Sequence, residues 1–137
     1  MDSKPLKNSE QIGPNRKTGV KGEECALKWL ENRKFKIIYS HGGKASNKPY
    51  DIICSKDNKY YALDVKSGKS PQISLTSLKK LLNKDIAEYR KETKKPDLKK
   101  IDNIGYIFVV DNKCLLFDFR KQSYKAYKAW DTIRTDN

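Results

Sequence analysis

Three acidic residues fall where the sequence leaves charge no ordinary place: Glu23, Asp51 and Asp64, the last followed at the second position by Lys66. In residues 60–69, YYALDVKSGK, strand alternation sets Tyr60, Ala62, Asp64 and Lys66 on one side and Tyr61, Leu63 and Val65 on the other. Both sides are apolar as far as Leu63, the pattern of a strand covered on both faces, where an unpartnered ion costs several kcal/mol. Asp51 heads a second apolar run, YDIIC, and the intervening KDN is a turn signal. An antiparallel hairpin of these two runs sets Asp51 beside Asp64. Glu23 follows Val20 by three residues and precedes Leu27 by four, which puts it on the inward stripe of a helix predicted from Thr18 to about Asn32.

Convergent carboxylates make a site for Mg²⁺, with Mn²⁺ as a substitute, because such a hard cation prefers oxygen ligands and keeps waters that substrate oxygens replace. A cation there neutralises phosphate charge and lowers the pKa of a bound water, while Lys66 orients that water or stabilises the developing anion. That is phosphodiester hydrolysis in outline. The acid-x-Lys spacing by itself says little, since Asp2 to Lys4, Asp57 to Lys59, Glu92 to Lys94, Asp97 to Lys99 and Asp111 to Lys113 share it. Asp111 to Lys113 is a turn, whereas Asp64 to Lys66 ends a strand covered on both faces and is preceded, twelve intervening residues earlier, by an acid that heads another apolar strand. The plain alternative is a strand-end salt bridge among Asp51, Asp64 and Lys66.

The elements that must position these groups come from one domain. The chain has 137 residues, 30 Lys plus Arg against 17 Asp plus Glu, and a formal charge of +13, which favours a polyanionic partner such as nucleic acid. Mean hydropathy is −0.87, yet the apolar residues cluster in runs such as FKIIY, IGYIFVV and CLLFDF, which argues for folding. No run is long enough to span a bilayer and the first residues lack the apolar core of a signal peptide, so a cytoplasmic protein without membrane contact is expected. Cys25, Cys54 and Cys114 show no C-x-x-C spacing and read as buried free thiols. His41 is the lone histidine, which excludes most zinc and Ser-His or Cys-His schemes.

Residues 1–18 read as a basic flexible arm and 19–137 as the folded domain. Strands are predicted at Phe35–Ser40, Tyr50–Ser55, Lys59–Lys66, Ile104–Val110 and Cys114–Phe119. Leu75, Leu78, Leu82, Ile86 and Tyr89 predict one helix, capped by Ser74 or Ser77, and Tyr124, Tyr127 and Trp130 a short terminal one. The resulting order implies an α/β fold, a single three-layer domain with a mixed central β-sheet flanked by helices.

Pro49-Tyr50-Asp51 and then Asp64-Val65-Lys66, on the second and third strands after a helix with an inward Glu, resemble the PD-(D/E)xK nuclease superfamily. Within it, residues 19–69 are similar to archaeal Holliday junction resolvases, through Lys21-Gly22 before Glu23, Phe35, a basic Gly/Ser loop, Asp51-Ile52-Ile53, and Asp64-Val65-Lys66-Ser67 followed by Lys69. The resemblance implies a restriction-endonuclease-like fold and a Mg²⁺-dependent endonuclease, a homodimer that cuts branched DNA. It implies metal ligation by Asp51, Asp64 and the Val65 carbonyl, a metal or water contact from Glu23, water activation near Lys66, and a loop serine, Ser46 or Ser40, on the scissile phosphate. DNA contacts are expected from Lys17, Lys21, Lys44, Ser46, Lys48 and Lys69, with Lys56 and Lys59 on the rim. The same chemistry on duplex ends, flaps or single strands, and a silent nuclease-fold binding module, are the alternatives.

Overall fold

The computed structural model describes residues 14–42 and 48–121, and for residues 14–20 the backbone alone. The predicted terminal helix around Tyr124, Tyr127 and Trp130, and residues 1–13 of the predicted arm, lie outside the described residues. The order is α1 (Pro14–Asn32), β1 (Lys36–Ser40), β2 (Ile52–Lys56), β3 (Lys59–Ser67), α2 (Leu75–Asn83), α3 (Ile86–Thr93), β4 (Asn103–Val110) and β5 (Lys113–Arg120). The five strands form one sheet in chain order. All neighbouring pairs are antiparallel except β3 with β4, which runs parallel through the α2–α3 crossover. The fold is thus α/β, a mixed sheet between helical layers.

Local chemistry accounts for the boundaries. Helix α1 starts at Pro14, where a fixed φ and a missing N–H cost nothing. It ends in a Schellman motif: Phe35 N–H donates to Leu30 O, Lys34 N–H to Glu31 O, and Lys34 takes φ 72°. The hairpins β2–β3 and β4–β5 both turn on an Asp-Asn pair, Asp57-Asn58 and Asp111-Asn112, with positive φ at all four residues. Two-residue turns of that hand match strand twist, and Asn and Asp tolerate it.

The single predicted helix over Leu75–Tyr89 is two. Ser74 caps α2 by accepting from Ser77 N–H, and Lys84 is already extended. Asp85 then opens α3 with a capping box, accepting from Glu88 N–H at 2.9 Å while Glu88 Oε1 accepts from Asp85 N–H at 3.2 Å. The apolar stripe continues across the break, so spacing alone concealed it; the cap chemistry of Asp85 wins locally.

Each sheet face carries its own core. Under α1, Ala26 and Leu30 pack on Ile52, Cys54, Leu63, Ile107 and Val109. On the opposite face Leu81, Leu82 and Tyr89 pack on Ile53, Ala62, Ile104 and Tyr106. Gly105 lies so near β5 that an added Cβ would sit 2.1 Å from Phe117 O.

Candidate functional site

The β2–β3 hairpin brings Asp51 and Asp64 together. Ile52 pairs with Leu63, and Asp51 N–H extends that ladder by donating to Leu63 O at 2.8 Å. One step further the two aspartates stand opposite one another. Asp51 Oδ2 accepts from Val65 N–H at 2.8 Å, which fixes its rotamer. Lys66 Nζ lies 3.0 Å from Asp64 Oδ2. Asp64 is only 7% exposed. Burial first, then a hydrogen bond and charge from Asp51, push its carboxyl up to about 8 against the opposing pull of Lys66. Without a cation, burial and the neighbouring acid thus favour a proton on this carboxyl pair.

An irregular strand sets up the neighbouring groups. In β1, Ile37 pairs with Cys54 but Tyr39 with Ile53, so Ile38 is bulged out of register. The bulge turns Tyr39 to the α2–α3 face and leaves Ser40 toward α1. Ser40 Oγ then donates to Glu23 Oε2 at 2.9 Å and accepts from Gly42 N–H at 3.1 Å. Tyr39 OH meets His41 Nδ1 at 2.9 Å, and His41 Nε2 meets Tyr50 O at 2.6 Å. A carbonyl only accepts, so the ring proton sits on Nε2 and Nδ1 accepts from the tyrosine. His41 Nε2 is also 3.8 Å from Asp51 Oδ1, and His41 N–H donates to Asp51 O. Tyr50, the residue between Pro49 and Asp51, is fully buried and donates to Glu92 Oε1 at 2.9 Å, while Lys84 Nζ binds Glu92 Oε2. Asp51 is therefore held from both sides.

Tyr106 lies beside Asp64 in the parallel β3–β4 register, on the same face. It is completely buried, and its hydroxyl has no hydrogen-bond partner among the described residues. Burial, and then the nearby Asp64 charge, push the phenol up to about 12.

The predicted acids do not form one tight triad. Asp51, Asp64 and Lys66 meet, whereas Glu23 is buried on the α1 side with Ser40. Among the described residues no group of three His, Cys, Asp or Glu side chains converges closely enough to hold a metal. The predicted DNA contacts divide likewise. Lys21 and Lys69 share a cleft of about 340 Å³ with Gly22, Ser67, Gly68 and Asn112. Lys48 is half-buried next to Pro49, the side chain of Lys17 is not described, and Lys44 and Ser46 lie outside the described residues. A further cleft of about 440 Å³ runs from Pro49 along α2, lined by Lys79 and Lys80.

His41, Tyr39 and Tyr106 escaped the sequence reading. A lone histidine in a loop gave no sign of burial, and Tyr106 looked like ordinary strand packing. Its register opposite Asp64 depends on a crossover that strand patterns do not reveal.

No protein-family model matches this chain, and no curated protein matches it significantly. Among solved structures it is similar to Hjc, a Holliday junction resolvase from the archaeal hyperthermophile Archaeoglobus fulgidus, with a TM-score of 0.48 and 19% sequence identity, over 76% of this chain and 78% of that chain.

Proposed function

We propose that the chain is a Mg²⁺-dependent DNA endonuclease of the PD-(D/E)xK type, working at the Asp51–Asp64 corner and acting on branched DNA such as a four-way junction. One observation carries the reading: two carboxyls in contact at the end of a buried strand, with the Lys66 amine 3.0 Å from the inner one. Desolvation with a like-charged neighbour is the condition a divalent cation relieves, and the donors there are all oxygen, as Mg²⁺ requires. Asp51, Asp64 and the Val65 carbonyl would hold it; two carboxylates are enough for an ion that keeps waters and takes substrate phosphate. When bound, the cation neutralises phosphate charge and makes a bound water acidic.

The chain's own groups do the rest. The Val65 N–H and the His41 network keep Asp51 in one rotamer, so that little reorganisation is needed on loading. Lys66 is a third exposed and can donate to an attacking water or to charge gathering on the phosphate. Ser40 and Glu23 form a hydrogen-bonded pair able to orient solvent at the neighbouring edge. The +13 chain and the Lys21–Lys69 cleft suit backbone phosphates, each contact adding about 0.9 to the salt slope on duplex DNA. Paired cuts on a two-fold junction call for two copies of the site, hence a homodimer.

A second reading, a nuclease-fold DNA-binding module without cleavage, is favoured by the absence, among the described residues, of a third acid that joins Asp51 and Asp64 closely enough to hold a metal. Wild type and Asp64→Ala are incubated with labelled four-way junction, duplex, flap and single-stranded DNA, in Mg²⁺ and in EDTA. Paired symmetric nicks on the junction, lost in the variant and in EDTA, are expected. Cuts confined to another substrate redirect the substrate assignment, and binding without any cutting establishes the module.

A further inference from the structure

The α1 side of the molecule holds a pair of groups that the proposed chemistry does not use. Cys25 on α1 and Cys114 on β5, 89 residues apart, place their sulfurs 3.7 Å from each other. Cys25 Sγ also lies 3.5 Å from Asn112 O in the β4–β5 turn. Both thiols are partly exposed, whereas Cys54 is fully buried in the core beneath α1. The contact is thiol to thiol, and a disulfide at about 2.05 Å needs the sulfurs to close by roughly 1.7 Å.

We propose that Cys25 and Cys114 are an oxidisable dithiol, a modification site at which a peroxide forms a reversible intrachain disulfide between α1 and β5. The Cys25 thiolate attacks one peroxide oxygen, the O–O bond breaks, and hydroxide leaves, giving a sulfenic acid on Cys25. The sulfur of Cys114 attacks that of Cys25, the S–O bond breaks, and the thiol proton departs with the oxygen as water. Overall, two thiols lose two electrons and two protons and one peroxide becomes two waters. Cys114 takes the resolving role because its sulfur already lies 3.7 Å from that of Cys25; burial and the adjacent Cys25 push its thiol up to about 12, so that proximity, and not acidity, drives the second step. Cys54 is fully buried, out of reach of peroxide, and stays out of the reaction.

The position gives the bond a consequence. Asn112, which touches Cys25, also lines the cleft that holds Lys21 and Lys69, and Lys21 and Glu23 are on the same helix as Cys25. Oxidation would clamp one wall of that cleft. The pairing does not depend on the nuclease reading.

The full chain is treated with dilute hydrogen peroxide, then denatured and titrated for thiols, alongside Cys25→Ser and Cys114→Ser. The expected result is a fall from three free thiols to one in wild type. A mass loss of two hydrogens, a cross-linked peptide pair containing Cys25 and Cys114, a monomer on a non-reducing gel and reversal by dithiothreitol complete it. Tm should rise on oxidation in wild type and in neither serine variant. Sulfinic acid on Cys25 without a cross-link, a bond between two copies of the chain, or a bond that involves Cys54 would each overturn the proposal.

Discussion

The two faces of the sheet handle buried polarity differently. Beneath α1 the polar groups meet in local pairs, Glu23 with Ser40 and Cys25 with Cys114, among apolar neighbours. Beneath α2 and α3 they are chained: Tyr39 to His41 to the Tyr50 backbone, and Tyr50 through Glu92 to Lys84. That chain braces Asp51, yet at its edge Asp64 stays desolvated against a second acid and the Tyr106 hydroxyl has no partner among the described residues. Elsewhere among the described residues buried side-chain donors and acceptors are matched; at this corner the sequence tolerates a deficit. Concentrated frustration of this kind is a physical marker of a site.

The contrast can be broken in graded ways. Asp64→Ala has the largest expected effect, a loss of cleavage of about a thousandfold or more, with DNA binding retained, as read from single-turnover rates and gel shifts. The next concerns protons. Folding raises the Asp64 pKa from 3.8 to about 8, so the stability it contributes is present at low pH and is lost as pH rises through that interval. Metal-free wild type should therefore lose Tm from acid toward pH 8 relative to Asp64→Asn, which has no carboxyl to ionise. A cation must displace that proton, so the Mg²⁺-induced rise in Tm should grow between about pH 6 and about pH 8.5. An equal rise at both would separate Asp64 from the metal.

Glu23→Gln should slow cleavage about tenfold while leaving DNA affinity unchanged; a near-normal rate would confine Glu23 to holding Ser40. Asp85→Ala removes the cap that splits α2 from α3 and should cost about 1 kcal/mol in denaturant unfolding, without touching the α1 side. The smallest effect carries an unusual sign. Tyr106→Phe deletes an unpartnered buried hydroxyl and should leave stability equal or higher by up to about 1 kcal/mol. A clear loss would mean that the hydroxyl has a partner after all.

Much of this architecture was legible in the sequence because the signals were local. The Asp-Asn turns, the alternating run from Tyr60 to Val65 and the apolar β4 each announce themselves within a few residues, and the hairpin alone sets Asp51 opposite Asp64. The inward position of Glu23 followed from helical spacing. What stayed hidden was non-local or depended on a single competing residue. Asp85 breaks a stripe whose periodicity runs on undisturbed through Ile86 and Tyr89. The turn of Ser40 toward Glu23 needs a bulge that no propensity specifies, and Cys25 meets Cys114 only because α1 lies over the far end of the sheet.

The one parallel junction, β3 against β4, has a consequence for how the molecule comes together. The β2–β3 and β4–β5 hairpins zip from two-residue turns, but this seam closes only after the long excursion through both helices has been drawn in, an entropic toll that slows its formation. The hairpin can thus align its aspartates early while they still face water. Their burial against Tyr106 waits for the seam, so the electrostatic character of the corner is acquired with the last of the tertiary structure.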